Sequence, residues 1–219
     1  MCDRYTTVRE LDIQAMWNVA GVVGGSRWDL MLTPRARGPF LRRSPHGMGA
    51  SLACGQWGLI PWFAKEARLP YQPTSARVED APARASYELP WARGQRCIIP
   101  AQSFDTLCWD AGRHVWWRLR RADGKPWALA GLWNTWVDQE TDEVHESYTM
   151  LTVDASAHPL ISHMYKAVPQ WSPEGGGQRS VVPLERDDVV HWLTGTEPQA
   201  RALLRLPPME AFEVERLPL

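Results

Sequence analysis

The sequence predicts an α+β fold, a curved and mainly antiparallel sheet or open barrel flanked by helices. Three observations carry that expectation. An amphipathic helical stripe lies close to the N-terminus, the middle of the chain is a series of short segments rich in aromatic and β-branched residues, and helical patterns return only after residue 154.

Taken in order, residues 8–20 place Val8, Leu11, Ile13, Ala15, Met16 and Val19 on one broad stripe, with Thr7 as N-cap and Gly21 as stop. Residues 24–45 are rich in Gly, Pro and Arg (Arg35, Arg37, Arg42, Arg43) and read as a surface loop, either over a site or simply solvated. Strand-like pieces follow at 56–59, 96–99, 114–121, 127–133 and 147–153. The turn Ala122-Asp123-Gly124-Lys125 predicts a hairpin that pairs 115–120 with 127–131. Helical patterns then occupy 154–164, where Asp154 can cap, 184–193 and 197–204. Pro173-Glu174-Gly175-Gly176-Gly177 reads as a flexible insertion. No internal repeat or interdomain linker is visible, so one domain over 1–219 is the expected count.

Composition narrows the function classes. With 219 residues, 44% hydrophobic and 22% charged, the chain can bury a core large enough to hold a site without disulfide or metal staples. Lys plus Arg (24) balances Asp plus Glu (25), for a net charge of -1, so contact with a polyanion must come from a local patch. Cys2, Cys54, Cys97 and Cys108 form no C-x-x-C pair and the histidines no H-x-x-x-H pair, so neither a metal nor another cofactor is expected. Asp3, Arg4, Arg9, Glu10 and Asp12 charge the first twenty residues and no apolar run approaches a bilayer's width, which predicts a cytoplasmic protein with reduced thiols. Thirteen Trp stand out: most should be core, and a minority could stack on bases.

Chemistry begins at Cys2. Met1 is usually removed before so small a second residue, and its removal leaves one residue with a free thiol and a free α-amine. These titrate near about 8.5 and about 7.7–8.0, so both nucleophiles are populated at neutral pH. An aldehyde attacked by that amine gives an imine, and the adjacent thiol closes a five-membered thiazolidine.

Further along lie Trp57-Gly58-Leu59-Ile60-Pro61-Trp62-Phe63, Ser75-Ala76-Arg77-Val78-Glu79, Arg96-Cys97-Ile98-Ile99-Pro100-Ala101-Gln102-Ser103-Phe104, Ala130-Gly131-Leu132-Trp133, and Tyr148-Thr149-Met150-Leu151-Thr152 followed by His163. Together with Met1-Cys2-Asp3-Arg4-Tyr5, and in this order, they resemble the SRAP family, the SOS-response-associated peptidase group whose members crosslink to abasic sites in single-stranded DNA. The resemblance runs from Cys2 to about Leu193.

It implies that Cys2 is the nucleophile and His163 a proton shuttle during sugar-ring opening and closure, a role suited to imidazole. Without the resemblance, His163 is a surface histidine on a helix beside Met164. Arg77 matches a phosphate-gripping arginine, Arg4 lies near enough to Cys2 for a neighbouring phosphate, and Glu79 reads as an ion-pair partner. Trp62 and Phe63 match aromatics that stack on or wedge beside bases, and Arg179-Ser180-Val181-Val182-Pro183 resembles the family's next strand, with Arg179 on the DNA side.

The departures are specific. Ser75 replaces the family's Asn, and Thr106, preceded by Asp105, replaces a general acid or base Glu. Threonine does not exchange protons near neutral pH, so either Asp105 takes the step or it is lost. Residues 165–177 interrupt the family's run after the histidine and could reshape the DNA groove.

The expected function is binding of single-stranded DNA at abasic sites with a thiazolidine crosslink through Cys2, by a monomer that joins the nucleoid only when bound to DNA. Three other readings stay open: a relative that binds DNA without crosslinking, favoured by Ser75 and Thr106; a thiol peptidase or amidohydrolase using Cys2 and His163; and a protein-interaction domain with docking Trp residues. Under the peptidase reading, only Met1 precedes Cys2, so self-processing would release that residue alone.

Overall fold

The computed structural model describes residues 2–22, 27–45, 49–71, 73–110, 113–164 and 178–218. It is an α+β protein. In chain order its elements are β1 (Cys2–Thr6), α1 (Glu10–Trp17), β2 (Met31–Leu32), β3 (Arg37–Arg43), β4 (Ala50–Trp57), β5 (Ser75–Arg77), α2 (Ala85–Ala92), β6 (Arg96–Ala101) and β7 (Ser103–Asp110). There follow β8 (Arg113–Arg121), β9 (Trp127–Val137), β10 (Val144–Asp154), α3 (Ile161–Met164), β11 (Arg179–Val181), β12 (Pro183–Leu184), α4 (Asp188–Thr194), α5 (Glu197–Ala202) and β13 (Phe212–Arg216).

The strands form two sheets. One has five strands in the order β13-β8-β7-β1-β2. In the other, β10-β4-β3-β6-β9 is a hydrogen-bonded path that β9 closes by pairing with β10, making a five-stranded barrel with β5, β11 and β12 attached. Pairing is antiparallel except where β10 meets β4 and β5. The closed circuit leaves the barrel strands with buried inner faces, and this is where the long apolar segments go: Cys97, Ile98 and Ile99 of β6 and Leu129, Ala130 and Leu132 of β9 are buried. Gly131 is required there, because a Cβ would stand 2.5 Å from the Thr149 carbonyl oxygen of β10.

Several local expectations are corrected. The turn at 122–125 forms, with Gly124 at φ 74, but it is no hairpin: β8 pairs with β7 and β13, whereas β9 crosses into the barrel and pairs with β6 and β10. Local turn chemistry sets the reversal and the two cores choose the partners. Residues 37–43, read as loop for their Gly, Pro and Arg, are strand β3, whose Phe40 and Leu41 are fully buried. Helix α1 is shorter than 8–20 and ends at Asn18 in the left-handed conformation; Thr7 bonds the Pro100 carbonyl rather than capping it. Asp154 ends β10, so 154–164 contributes only the short α3. The insertion at 165–177, including 173–177, lies outside the described residues.

Candidate active site

Cys2 opens β1 and stands opposite Thr106 of β7. A register shift between Cys2 and Arg4 turns the two side chains to opposite faces of the sheet. Cys2 therefore faces inward, where Thr106, Arg179 and Ser180 join it around a small cleft. The apolar wall is Phe104, Leu119, Val181 and, from α3, Ile161 and Met164. The Cys2 thiol donates to the Arg4 carbonyl at 3.3 Å.

Arg179 is the cleft's charged group, 9% exposed. Its Nε donates to Thr152 Oγ1 at 3.1 Å, and its Nη2 to the Thr152 carbonyl at 2.6 Å and to Glu79 at 2.7 Å. A buried cation needs such a set of acceptors. Glu79 is thus an ion-pair partner, and through Arg179 it is joined to the cleft.

His163 is exposed and does not line the cleft, although its helix neighbours do. Its Nδ1 lies 2.5 Å from the Pro159 carbonyl.

Asp105 points away from Cys2. Strand alternation puts Phe104 and Thr106 in the cleft and Asp105 on the other face, where it accepts Arg4 Nε at 2.7 Å, Arg118 Nε at 2.8 Å and Arg118 Nη2 at 2.9 Å. Its hydrogen bonds raise the Arg118 guanidinium above its ordinary value. The structure therefore does not bring Asp105 to the thiol in place of a glutamate, and Thr106 occupies the facing position.

Ser75 and Arg77 sit on β5, which pairs with β10 at Met150 and Thr152. Both are half-buried, and the Ser75 carbonyl accepts Tyr87 Oη. Trp62 and Phe63 are not core: they are 64% and 43% exposed, edge to face at 5.6 Å. The segment before them explains why. Leu59, Ile60 and Pro61 are buried, with Ile60 held by Ser147 Oγ on its N–H and by Asn134 Nδ2 on its carbonyl, so the chain is anchored where the two aromatics emerge.

Sequence reasoning missed Ser180, Arg118 and Trp116. In β8, Trp116, Arg118 and Arg120 recur at every second position, and that period is the signal that they share one face. Among the described residues, no group of three His, Cys, Asp or Glu side chains could hold a metal ion, and no helix is long and apolar enough to cross a membrane.

Comparison with known proteins places the fold. Residues 1–218 match the family described as SOS response associated peptidase (SRAP). The abasic site processing protein YoqW of Bacillus subtilis is 26% identical over 225 residues, covering 99% of this chain and 93% of its own. The abasic site processing protein HMCES of Xenopus tropicalis is 27% identical over 127 residues, 48% of this chain and 37% of its own. Among solved structures, a Bordetella bronchiseptica protein superposes with a TM-score of 0.84 at 28% identity, with both chains fully covered. A Bacteroides thetaiotaomicron protein gives 0.79 at 16% identity, covering 99% and 92%.

Proposed function

Because the chain belongs to the SRAP family, we propose that it processes abasic sites in DNA and that Cys2 forms a covalent thiazolidine with them. The observation that carries this reading is Cys2 itself, at the start of β1 and on the wall of a cleft with Arg179, Thr106 and Ser180.

The steps balance. Hydrolytic removal of Met1 frees the α-amine. That nitrogen adds to the C1′ aldehyde of the ring-opened deoxyribose and water leaves, giving an imine. Cys2 Sγ then bonds to the same carbon while the thiol proton passes to the nitrogen. Thiazolidine formation releases one water, which offsets the one consumed in removing Met1, and no oxidant or reductant is consumed.

His163, beside the cleft rather than in it, is the proton shuttle the family resemblance implies, Thr106 and Ser180 offer hydroxyls, and Arg179 offers positive charge to the sugar's phosphates. Arg77 grips the backbone, Trp62 and Phe63 stack on or wedge beside bases of the single strand, and the protein acts as a monomer. It works in the cytoplasm and associates with the nucleoid when bound to DNA.

The first test is intact mass followed by incubation with an abasic-site oligonucleotide and a denaturing gel. Loss of Met1 with a heat-resistant adduct that disappears in Cys2→Ala is the expected result, and adduct persisting in that variant overturns it. A second reading, DNA binding without the crosslink, is favoured by Thr106 facing Cys2 at the position where the family resemblance implies Glu. Loss of Met1, salt-sensitive binding and no adduct would select it. Turnover of a peptide or ester lost in Cys2→Ser, with DNA inert, would select a thiol hydrolase.

A further inference from the structure

The outer face of the five-stranded sheet carries a row of charges that the chemistry at Cys2 does not use. Register sets Glu215 of β13 opposite Arg118 of β8, Arg118 opposite Asp105 of β7, and Asp105 opposite Arg4 of β1. The signs alternate across four strands. Asp105 has a side chain only 2% exposed and is bonded by both guanidinia, while Glu215 is drawn sideways to Arg120 at 2.9 Å. A buried carboxylate clamped between two arginines fixes both of them, since releasing either leaves a buried charge short of a partner.

The row stops at Arg4. Strand β2 pairs with Tyr5 and Thr6 but not with Arg4, so among the described residues no strand partner continues the alternation. Arg4 spends its Nε on Asp105 and lays its guanidinium 4.4 Å over the Trp116 ring. Its Nη1 and Nη2 take no acceptor among the described residues, and its side chain is 29% exposed. One guanidinium is thus held through its Nε and on one plane, on a partly exposed side chain of the strand that begins with Cys2.

We infer that this row is a positioning device that presents Arg4 to a phosphodiester of the bound strand, with Asp105 and Trp116 as positioning residues. The inference rests on the reading that a nucleic-acid strand is the ligand at Cys2. A phosphate against the Nη fork continues the alternation and meets a bidentate donor whose rotamer is already fixed. Because the register shift turns Arg4 and Cys2 to opposite faces, that phosphate belongs to a flanking nucleotide passing the end of β1, not to the reacting sugar. Asp105 acts here through Arg4 and exchanges no proton with substrate.

The test is a double-variant cycle read as noncovalent binding of an oligothymidylate without abasic sites, across a salt series. Arg4→Ala is expected to lower the slope of log affinity against log salt by about 0.7, one phosphate contact on a single strand. Asp105→Asn should weaken binding when Arg4 is present and have no further effect in Arg4→Ala. Trp116→Leu, which leaves the buried carboxylate intact should Asp105→Asn fold poorly, is expected to cost about two- to fivefold, the scale of an exposed cation–π contact, again only with Arg4 present. Additive effects in the two cycles, or an unchanged slope in Arg4→Ala, overturn the inference. So does a pH limb of adduct formation that Asp105→Asn removes. Absent adducts with the coupling intact would fail only the covalent reading, whereas a wild-type protein that binds no oligothymidylate fails both.

Discussion

Tyr5 and Tyr148 meet hydroxyl to hydroxyl at 2.5 Å, both fully buried, and their hydrogen bond joins β1 of the five-stranded sheet to β10 of the barrel. Tyr5 also packs edge-on against Trp57 at 5.1 Å, and Gly38 leaves room for the pair, since a Cβ there would stand 2.6 Å from Tyr148 Oη. The two sheets are thus pinned close to the strand that begins with Cys2.

Tyr148→Phe strands the Tyr5 hydroxyl in the core, and an unsatisfied buried group of this kind costs about 1–3 kcal/mol. The double variant Tyr5→Phe/Tyr148→Phe removes both partners and should recover part of that loss. Urea unfolding of the three proteins checks the order; a double variant less stable than the sum of the singles would refute it.

Alkaline stability follows from the same burial. Desolvation pushes Tyr5 and Tyr148 well above the ordinary tyrosine value, and burial raises Tyr87 to about 12. Unfolded tyrosines ionise near about pH 10 while these stay protonated in the fold, so above that pH the unfolded state holds fewer protons and stability falls. The stabilisation is complete below about pH 10 and is lost as pH rises toward and past 12. Tyrosinate absorbance and circular dichroism, followed together, should change in one cooperative step for the buried tyrosines.

Gly131→Ala should be severely destabilising. The added carbon would lie 2.5 Å from a backbone oxygen of β10 and 2.6 Å from Ile99 Cδ1, so the barrel circuit must open to admit it. A loss of more than about 3 kcal/mol, or an insoluble protein, is expected from a clash with backbone of this kind. A melting temperature within a degree of wild type would refute it.

How much of this is legible in the sequence depends on range. The segments that form β6, β9 and β10 announce themselves because burial in a barrel demands continuous apolar runs. Strand β3 stays hidden because Arg37, Arg42 and Arg43 dominate its composition, although Phe40 and Leu41 carry its burial. The 122–125 turn is legible and the pairing of its flanking strands is not, since a turn specifies a reversal and says nothing about which core captures each arm. At the site, Cys2, Thr106 and Arg179 share a cleft, yet nothing local predicts that Asp105, one residue from Thr106, belongs to the opposite face with Arg118.

Thr106→Glu tests the departure that separates the two functional readings. A carboxylate there would face Cys2, with the Arg179 guanidinium on the same cleft to balance it. Adduct formation is expected to accelerate, toward the roughly 10²-fold that a positioned acid–base group contributes. Single-turnover rates on an abasic oligonucleotide check this, and an unchanged or slower rate with the fold intact would show that position 106 takes no part.

Arg77→Ala should weaken single-stranded DNA binding by a similar factor for every sequence, because phosphate contacts carry no base information. Titrations with poly-dT, poly-dA and mixed oligonucleotides distinguish that from a sequence-dependent loss, which would reassign Arg77.

The junction of β4 with β10 has a kinetic meaning. Ile60, just past the end of β4, and Ser147 of β10 are bonded there and lie 87 positions apart in the chain, so the ring is not complete until distant segments have found each other at the cost of a long loop. Contacts of that reach slow folding by orders of magnitude relative to local ones. The nascent protein would therefore hold β3, β4 and β6 ready while waiting for β10, the strand that delivers Tyr148 and Thr152, and the ring shuts only on that late arrival.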